Sequence, residues 1–241
     1  MQSLSSLVKY LFRACGLEVR RYTVDTSERC RIKRLLEHHG IDLVLDVGAN
    51  TGQYGMFLRK LGYRGTIVSF EPLLSAHEQL VKRSRNVQDW IIAPRMAVGE
   101  RSGEITLHIS GNSQSSSVLN MLDAHVKSAP DSVYIADQLV PLRRLDESAM
   151  NYVASSSAAY LKIDVQGYES QVIDGTAGIL PRIMGIQLEL SLIPLYENQV
   201  LYREMIEKLD GLGYALHALF PVFSDVQSGR LLQMDGVFFR K

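Results

Sequence analysis

Two stretches of the sequence combine an aliphatic run, an acid and glycines, which are the residue types that build ligand-binding loops. The first is VLDVGANTGQYG at residues 44–55, where Asp46 lies in the aliphatic run and Gly48 and Gly52 follow. The second is YLKIDVQGYE at residues 160–169, where Asp164 ends a similar run. Glycine lets a chain turn tightly and lets a ligand approach the backbone closely. Both stretches therefore predict a buried strand that ends at a ligand site.

The glycine spacing of the first loop argues against a phosphate ligand. Gly48 and Gly52 form G-x-x-x-G, and Asn50 stands where the dinucleotide fingerprint G-x-G-x-x-G would place its second glycine. No G-K-[ST] follows, so a phosphate-binding P-loop is excluded as well. A carboxylate at Asp46 repels phosphate and attracts an ammonium or sulfonium group, or else it braces the turn through hydrogen bonds. A neutral or cationic ligand is the better prediction.

A second acid follows the next predicted strand. Glu71 ends the run IVSFEP, and an acid at this place in a nucleotide-binding sheet accepts hydrogen bonds from the ribose hydroxyls. The alternative is a solvated residue at the end of the strand. Taken with Asp46 and the glycine loop, Glu71 predicts a ligand that joins adenosine to a positively charged amino acid. S-adenosylmethionine is that molecule.

Two further acids are expected to face the same pocket. Asp164 and Glu189 each fall at or near the end of a predicted buried strand, and a buried carboxylate is costly unless it is paired, hydrogen-bonded or bound to a cation. Three roles stay open for the pair: cofactor orientation, general base, or oxygen ligands of a divalent metal such as magnesium. A purely structural role for Glu189 is a further alternative. His108 and His125 are additional base candidates, although an ordinary surface position is expected for each.

The elements that must position these residues alternate between strands and helices. This pattern predicts an α/β fold, a Rossmann-like doubly wound sheet of about seven strands, mostly parallel with an antiparallel final strand and helices on both faces. In such sheets ligands bind beyond the carboxyl ends of the strands. Residues 1–40 are predicted as an N-terminal helical extension and 41–241 as the catalytic domain, with 111–139 an irregular insertion that could cover the acceptor. The predicted strands are 42–47, 65–72, 90–99, 103–110, 158–165 and 182–191, a short one within QLVPLRR, and two at the C-terminus.

Composition and charge are those of an ordinary globular protein. Of the 241 residues, 46% are hydrophobic, and 26 basic side chains balance 26 acidic ones, which gives no reason to expect a nucleic-acid partner. Two cysteines are too few for a disulfide framework, so a reducing compartment, the cytoplasm, is predicted. Leu4, Leu7, Val8 and Leu11 fall on one helical face that Lys9 and Arg13 interrupt. This helix is expected on the domain surface or in a homodimer, with peripheral membrane contact as the alternative.

Taken together, VLDVGANTGQYG, SFEP, MAVG and LKIDVQGYE resemble the FkbM family of S-adenosylmethionine-dependent methyltransferases, from about residue 41 to 220. The resemblance implies a class I methyltransferase in which the glycine loop embraces the methionine part of the cofactor. The GNSQSSS segment also looks like the family's serine-bearing segment. The implied cofactor residues are Asp46, Gly48, Ala49, Asn50, Thr51, Gly52 and Tyr54 in the loop, Glu71 at the ribose, and Pro72 and Ala97 at the adenine; Asp164 is the implied acid beside the reactive methyl. Our hypothesis gives Asp164 the role of base or metal ligand, with Glu189 assisting.

The resemblance further implies O-methylation of a hydroxyl, most often on a sugar of a glycolipid, polysaccharide or glycosylated natural product. The acceptor is then a small molecule or a glycan. Pro94 and Arg95 depart from the wider fold, where an acid that reads adenine is common. Methylation of a nitrogen or of a small non-sugar metabolite is the alternative. A nicotinamide-dependent oxidoreductase is more distant because no Tyr-x-x-x-Lys pair is present, and intact Asp46, Glu71 and Asp164 argue against a non-catalytic binding module.

Overall fold

The computed structural model describes residues 4–241, and they divide into a short N-terminal unit that ends at His38 and a large unit, His39–Lys241. The short unit contains the helices α1 (Leu4–Ala14) and α2 (Glu28–His38). The predicted N-terminal helix is therefore present, although the side chains of Leu4 and Leu7 lie outside the described residues. No helix within residues 4–241 is long and apolar enough to cross a membrane. Dimer and membrane contacts of α1 stay predictions.

The large unit alternates strands and helices along the chain. Its central strands are short and almost completely buried, as expected for a sheet covered on both faces. The elements are β1 (Leu43–Val47), α3 (Gln53–Leu61), β2 (Thr66–Phe70), α4 (Leu74–Ser84), β3 (Trp90–Ile92), β4 (Ala97–Gly99), β5 (Gly103–Ser110), α5 (Asp123–Ser128), β6 (Tyr134–Arg144), α6 (Leu145–Ala154), β7 (Ala159–Ile163), α7 (Glu169–Asp174), β8 (Ile183–Ser191), α8 (Tyr202–Gly211), β9 (Tyr214–Ser224) and β10 (Leu231–Arg240).

Seven strands form the main sheet in the order β3-β2-β1-β7-β8-β10-β9. β10 runs antiparallel to both of its neighbours, and every other pair in this sheet is parallel. The predicted fold class is thereby confirmed. The strand order reverses between β1 and β7, which is where ligands bind in open α/β sheets. In the register of the sheet Asp46 lies between Ser69 of β2 and Lys162 of β7.

The main core lies between the sheet and its helices. Leu45, Ile163 and Leu188 come from adjacent strands, and Val172 of α7 packs into the same cluster. Each fully buried aliphatic side chain of this kind contributes about 1.5–3 kcal/mol relative to exposure. This packing fixes the carboxyl ends of β1, β7 and β8 relative to one another, and the loops that follow these strands are positioned with them.

The prediction of one strand over residues 90–99 is wrong. β3 ends at Ile92, and β4 begins only at Ala97 in a separate three-stranded sheet of order β4-β6-β5. Pro94 lies between the two strands, and proline has no N–H to donate to a strand ladder. Ala97 therefore starts a strand of the small sheet and does not end the third strand of the main sheet.

The segment 111–139 is more regular than the sequence indicates. It contains α5 and a 3-10 turn at Pro130–Ser132, and its last residues already belong to β6. The sequence predicts only a short strand here because Asp and Pro are depleted in strands. Pro141 is accommodated because β4 pairs only with residues 142–144, so that at this position β6 has a single neighbour.

Candidate active site

Asp46 is buried inside β1 and is held by a short chain of hydrogen bonds. The Ser69 hydroxyl donates to Asp46 Oδ2 at 3.0 Å, and Trp90 Nε1 donates to the same hydroxyl oxygen at 3.0 Å. Burial raises the pKa of Asp46 to about 7, although the Ser69 hydrogen bond and the nearby Lys162 ammonium act to lower it. A cation placed beside this carboxyl would favour its ionised form.

The backbone N–H groups of the glycine loop donate within the protein. Gly48 and Ala49 both donate to the Phe70 carbonyl oxygen at 3.0 Å, and Gly52 donates to the carbonyl of Ala49 at 2.8 Å. A phosphate-binding loop instead directs such N–H groups at its anionic ligand. The directions of these N–H groups therefore agree with the prediction, made from the G-x-x-x-G spacing, that the loop binds a ligand without phosphate. The two other N–H groups of the loop also donate within the protein. Asn50 N donates to Glu71 Oε2 and Thr51 N donates to Asn50 Oδ1, each at 2.7 Å.

Gly48 and Gly52 are required by close packing as well as by backbone conformation. Both have positive φ, +81° and +89°, where most side chains are strained. A Cβ at Gly48 would lie 1.8 Å from the backbone oxygen of Asp164, and one at Gly52 would lie 2.9 Å from the ring of Trp90. The first contact joins the loop after β1 to the turn after β7.

Glu71 braces the glycine loop from the end of β2. Its Oε2 accepts the hydrogen bond of Asn50 N at 2.7 Å, and its Oε1 accepts Leu73 N at 2.8 Å. Burial raises its pKa to about 7, and the two backbone donors act to lower it. The alternative of a solvated residue is wrong, because the side chain is buried. The binding of a ribose by Glu71 stays a prediction.

Asp164 and Glu189 are brought together as predicted. Gln166 Nε2 donates to Asp164 Oδ1 and to Glu189 Oε2, each at 2.9 Å. The side chain of Asp164 is 39% exposed, whereas Glu189 is buried in β8. Burial raises the pKa of Glu189 well above its usual value, the Asp164 charge raises it further, and Lys162 lowers it. One carboxyl of the pair thus faces solvent and the other is desolvated.

A buried lysine, which sequence reasoning missed, lies among these acids. Lys162 Nζ is 3.6 Å from Asp235 Oδ1 and 3.7 Å from Asp164 Oδ2. Burial lowers the pKa of Lys162, but the carboxylates of Asp235, Asp164 and Glu189 raise it more, so the group is an ammonium. The sequence contains one indication of this cluster, the single lysine of the otherwise apolar strand AYLKI, because a buried charge needs a partner of opposite charge. Asp235 gave no comparable signal because its partner is distant in sequence.

The other predicted cofactor residues surround this centre. The Tyr54 hydroxyl donates to Gln187 Oε1 at 2.8 Å, and the Pro72 carbonyl accepts Arg95 Nη1 at 3.1 Å. Thr51 Oγ1 accepts a long hydrogen bond from an arginine of α4. Ala97 is buried in the apolar cluster of the small sheet. Contacts of these residues and of Ala49 with a cofactor stay predictions.

The two histidine candidates differ in environment. His108 is partly exposed, and its Nδ1 lies 2.6 Å from Asp137 Oδ1 across the small sheet. The expectation of a surface position for His125 is wrong: it is buried, with Nδ1 3.0 Å from Ser132 Oγ and Nε2 3.2 Å from the Tyr196 hydroxyl. Burial lowers the pKa of His125, so its neutral form is favoured. Within residues 4–241 no group of three or more His, Cys, Asp or Glu side chains is arranged to hold a metal ion.

The class of protein follows from a parallel sheet with one antiparallel strand, an acid near the end of β1, a glycine loop after β1 and an acid after β2: these features define a Rossmann-like methyltransferase. The particular family follows from the sequence. The model of the methyltransferase FkbM domain matches residues 46–216, and the chain belongs to this family. It is therefore a methyltransferase of the class that takes its methyl group from S-adenosylmethionine, and the oxidoreductase alternative is set aside.

Solved structures show similar folds at low sequence identity. An rRNA methylase from Streptococcus thermophilus has 12% identity and a TM-score of 0.47, over 92% of this chain and 99% of that one. Aeropyrum pernix fibrillarin with natively bound S-adenosyl-L-methionine has 12% identity and a TM-score of 0.48, over 87% and 72%. A putative tRNA (m1A22) methyltransferase from Streptococcus pneumoniae has 11% identity and a TM-score of 0.46, over 89% and 70%. No curated protein matches the chain.

Proposed function

We propose that this methyltransferase modifies a hydroxyl oxygen, and that the hydroxyl belongs to a sugar of a glycolipid, polysaccharide or glycosylated natural product. The observation that carries the proposal is the acid pair at the sheet's switch point, where Asp164 is accessible and Glu189 is desolvated. A hydroxyl oxygen is a weak nucleophile at neutral pH and needs a group that takes its proton, whereas a neutral amine is nucleophilic without a base. The choice of a sugar as the acceptor rests on the resemblance to the FkbM family.

The electrostatics of the site support S-adenosylmethionine as the methyl donor. The loop N–H groups from Gly48 to Gly52 donate within the protein, so the loop offers little to an anion. The nearby carboxyls of Asp46, Asp164 and Glu189 favour a cation instead. When bound, the sulfonium supplies an activated methyl group. Asp46 and the loop would hold the methionine part, and Glu71 would hold the ribose.

In the proposed reaction Asp164 would accept the proton of the acceptor hydroxyl as the hydroxyl oxygen bonds to the methyl carbon and the methyl–sulfur bond of the donor breaks, with S-adenosylhomocysteine as the leaving group. The chain's main contribution is alignment, because the acceptor must approach on the side of the methyl opposite the sulfur. Glu189 assists by holding the Gln166 amide that also donates to Asp164. The partly exposed position of Asp164 lets an acceptor reach it from solvent.

The proposal is tested with S-adenosylmethionine labelled with ¹³C in the methyl group. Purified enzyme is offered separate pools of polysaccharide, glycolipid, glycosylated natural products, small amines and RNA, each with EDTA and with added magnesium. We expect label in a sugar-containing pool, with the ¹³C chemical shift of an O-methyl group. Label confined to amines or RNA, or an N-methyl shift, would overturn the proposal. A difference between the EDTA and magnesium arms decides whether a metal takes part.

A further inference from the structure

We propose that Gln166 is the positioning residue that holds Asp164 and Glu189 together as a pair, and that Tyr196 fixes the direction in which its amide points. This inference rests on the role given to the two acids above. The sequence alone predicted no role for Gln166 or Tyr196.

The amide of Gln166 contacts both acids, and it does so from one nitrogen. Each of the two N–H bonds on Nε2 serves one carboxylate, at 2.9 Å to Asp164 Oδ1 and 2.9 Å to Glu189 Oε2. Hydrogen bonds to ionised acceptors are roughly twice as strong as neutral ones. The shared donor therefore stabilises two neighbouring carboxylates that would otherwise repel each other.

Tyr196 determines which end of the amide faces the acids. Its hydroxyl donates to Gln166 Oε1 at 2.8 Å, and its ring is fully buried. A flipped amide would place the carbonyl oxygen against two carboxylates and the NH₂ group against the tyrosine. The tautomer of His125 with its proton on Nε2 can donate to the Tyr196 oxygen at 3.2 Å, which leaves the tyrosine hydrogen for Gln166.

The backbone of Gln166 is fixed as firmly as its side chain. The residue has φ +56°, a conformation that is uncommon for a non-glycine residue and that persists where surrounding contacts enforce it. Its carbonyl accepts the Ser117 hydroxyl at 2.6 Å, and the next N–H, that of Gly167, donates to Glu169 Oε1 at 3.1 Å. Ser117 belongs to the serine-bearing segment, so this segment and the acid pair are connected through Gln166.

Other groups near the pair define what a substitution at Gln166 changes. Gln233 Nε2 also donates to Glu189 Oε2, at 3.2 Å, so Glu189 keeps one donor when Gln166 is replaced. The charged groups that act on Glu189 are Asp164, Lys162, Asp235 and Glu169. The loss of the Gln166 amide thus leaves the charges in place and removes the link between the two acids.

Two variants separate positioning from space filling. Gln166→Met keeps the volume and removes both donors, and Gln166→Glu keeps the shape but adds a carboxyl to the cluster. Gln199→Met is the matched control, because Gln199 also makes side-chain hydrogen bonds, to Ser191 and Leu195, but touches neither acid. Methyl transfer is measured on the pool that accepts label, together with binding of S-adenosylmethionine by calorimetry.

We expect kcat to fall about 10- to 100-fold in Gln166→Met, and further in Gln166→Glu. The dissociation constant of S-adenosylmethionine should stay within about threefold of the wild-type value in both variants. The acidic limb of the pH–rate profile moves to higher pH in both variants, because the ionised pair has lost the amide that donates to both acids. In carboxyl ¹³C NMR, the Glu189 resonance titrates at higher pH in Gln166→Met, a readout that needs no acceptor. Gln199→Met keeps the wild-type profile.

The outcomes distinguish the two proposals. Failure of wild type to label any hydroxyl would overturn the proposed function, and an unchanged Glu189 titration in a folded Gln166→Met protein would overturn the positioning role. Equal effects of Met and Glu at this position would indicate a structural residue and would also contradict the inference. Tyr196→Phe tests the same inference if the Gln166 variants do not fold, because it removes only the hydroxyl that orients the amide. We expect the Glu189 titration to shift in the same direction, to higher pH, with a smaller loss of kcat.

Discussion

The backbone carbonyl of Asp164 packs directly against Gly48, leaving no room for even one additional carbon: a Cβ there would lie 1.8 Å from the oxygen. The N–H of Asp164 also donates to the carbonyl of Val47 at 2.9 Å, at the end of β1. The loop assigned to the cofactor and the turn that carries the accessible acid are thus one packed unit. Their relative position is set by backbone atoms, which do not change rotamer when a ligand binds.

The contact predicts that Gly48→Ala severely destabilises the protein. Alanine at this position would be strained by the positive φ of +81°, and its Cβ would clash with the Asp164 carbonyl oxygen. We expect a loss of at least about 3 kcal/mol in the free energy of unfolding. Gly62→Ala is the control, because Gly62 has φ +90° but open space around it. Its expected cost is about 1–2 kcal/mol, from the backbone alone. Similar losses in denaturant titrations of the two variants would contradict the importance of the contact.

Asp164→Asn tests the assignment of the accessible acid. Asparagine keeps an oxygen that accepts the Gln166 hydrogen bond, so the pair's geometry survives while the proton acceptor is lost. Removing a general base typically slows a reaction about 10²- to 10⁴-fold, and we expect a loss of kcat in this range. Binding of S-adenosylmethionine, followed by calorimetry, persists within about tenfold. Retained turnover in this variant would remove Asp164 from the mechanism.

The raised pKa of Asp46 predicts pH-dependent cofactor affinity. Below a pKa of about 7 the carboxyl is protonated and neutral, and above it the carboxylate attracts a cation. Affinity for S-adenosylmethionine should therefore rise between pH 6 and about pH 7.5, by up to about tenfold per pH unit for one such group. Asp46→Asn should bind more weakly and show a shallower dependence. An equal slope in the variant would assign the effect to other groups, among which Glu71 also has a pKa of about 7.

The buried ammonium of Lys162 predicts non-additive stability effects. Lys162→Met leaves Asp235 buried without its counter-charge at 3.6 Å, and breaking a buried pair in this way costs about 3–5 kcal/mol. The double variant Lys162→Met with Asp235→Asn should recover part of this loss, because the orphaned charge is gone. Lys241→Met, which breaks an exposed pair with Asp210, should cost less than about 1 kcal/mol. Additive losses in the cycle would show that the two buried charges do not interact.

The sequence by itself determined the fold class and the positions of the loops that are predicted to bind the ligand. Continuous apolar runs such as those around Leu45 and Leu161 identify buried parallel strands, because both faces of such strands are covered. An acid or glycine at the end of such a run then falls at the ligand edge of the sheet, whatever the details of packing. Asp46, Glu71 and Asp164 were predicted as site residues in this way, and the G-x-x-x-G spacing already argued against phosphate.

Only the tertiary structure decided which side chains meet. Lys162 and Asp235 lie on strands far apart in sequence, and Gln166 gains its importance from contacts with Glu189 and Tyr196 that no local pattern specifies. The same reason explains the split at Pro94, since residues 97–99 pair with β6 in a second sheet and not with the main one. Local periodicity reports which face of an element is buried. The partner that covers this face, and the hydrogen bonds that satisfy its polar groups, are set by long-range packing.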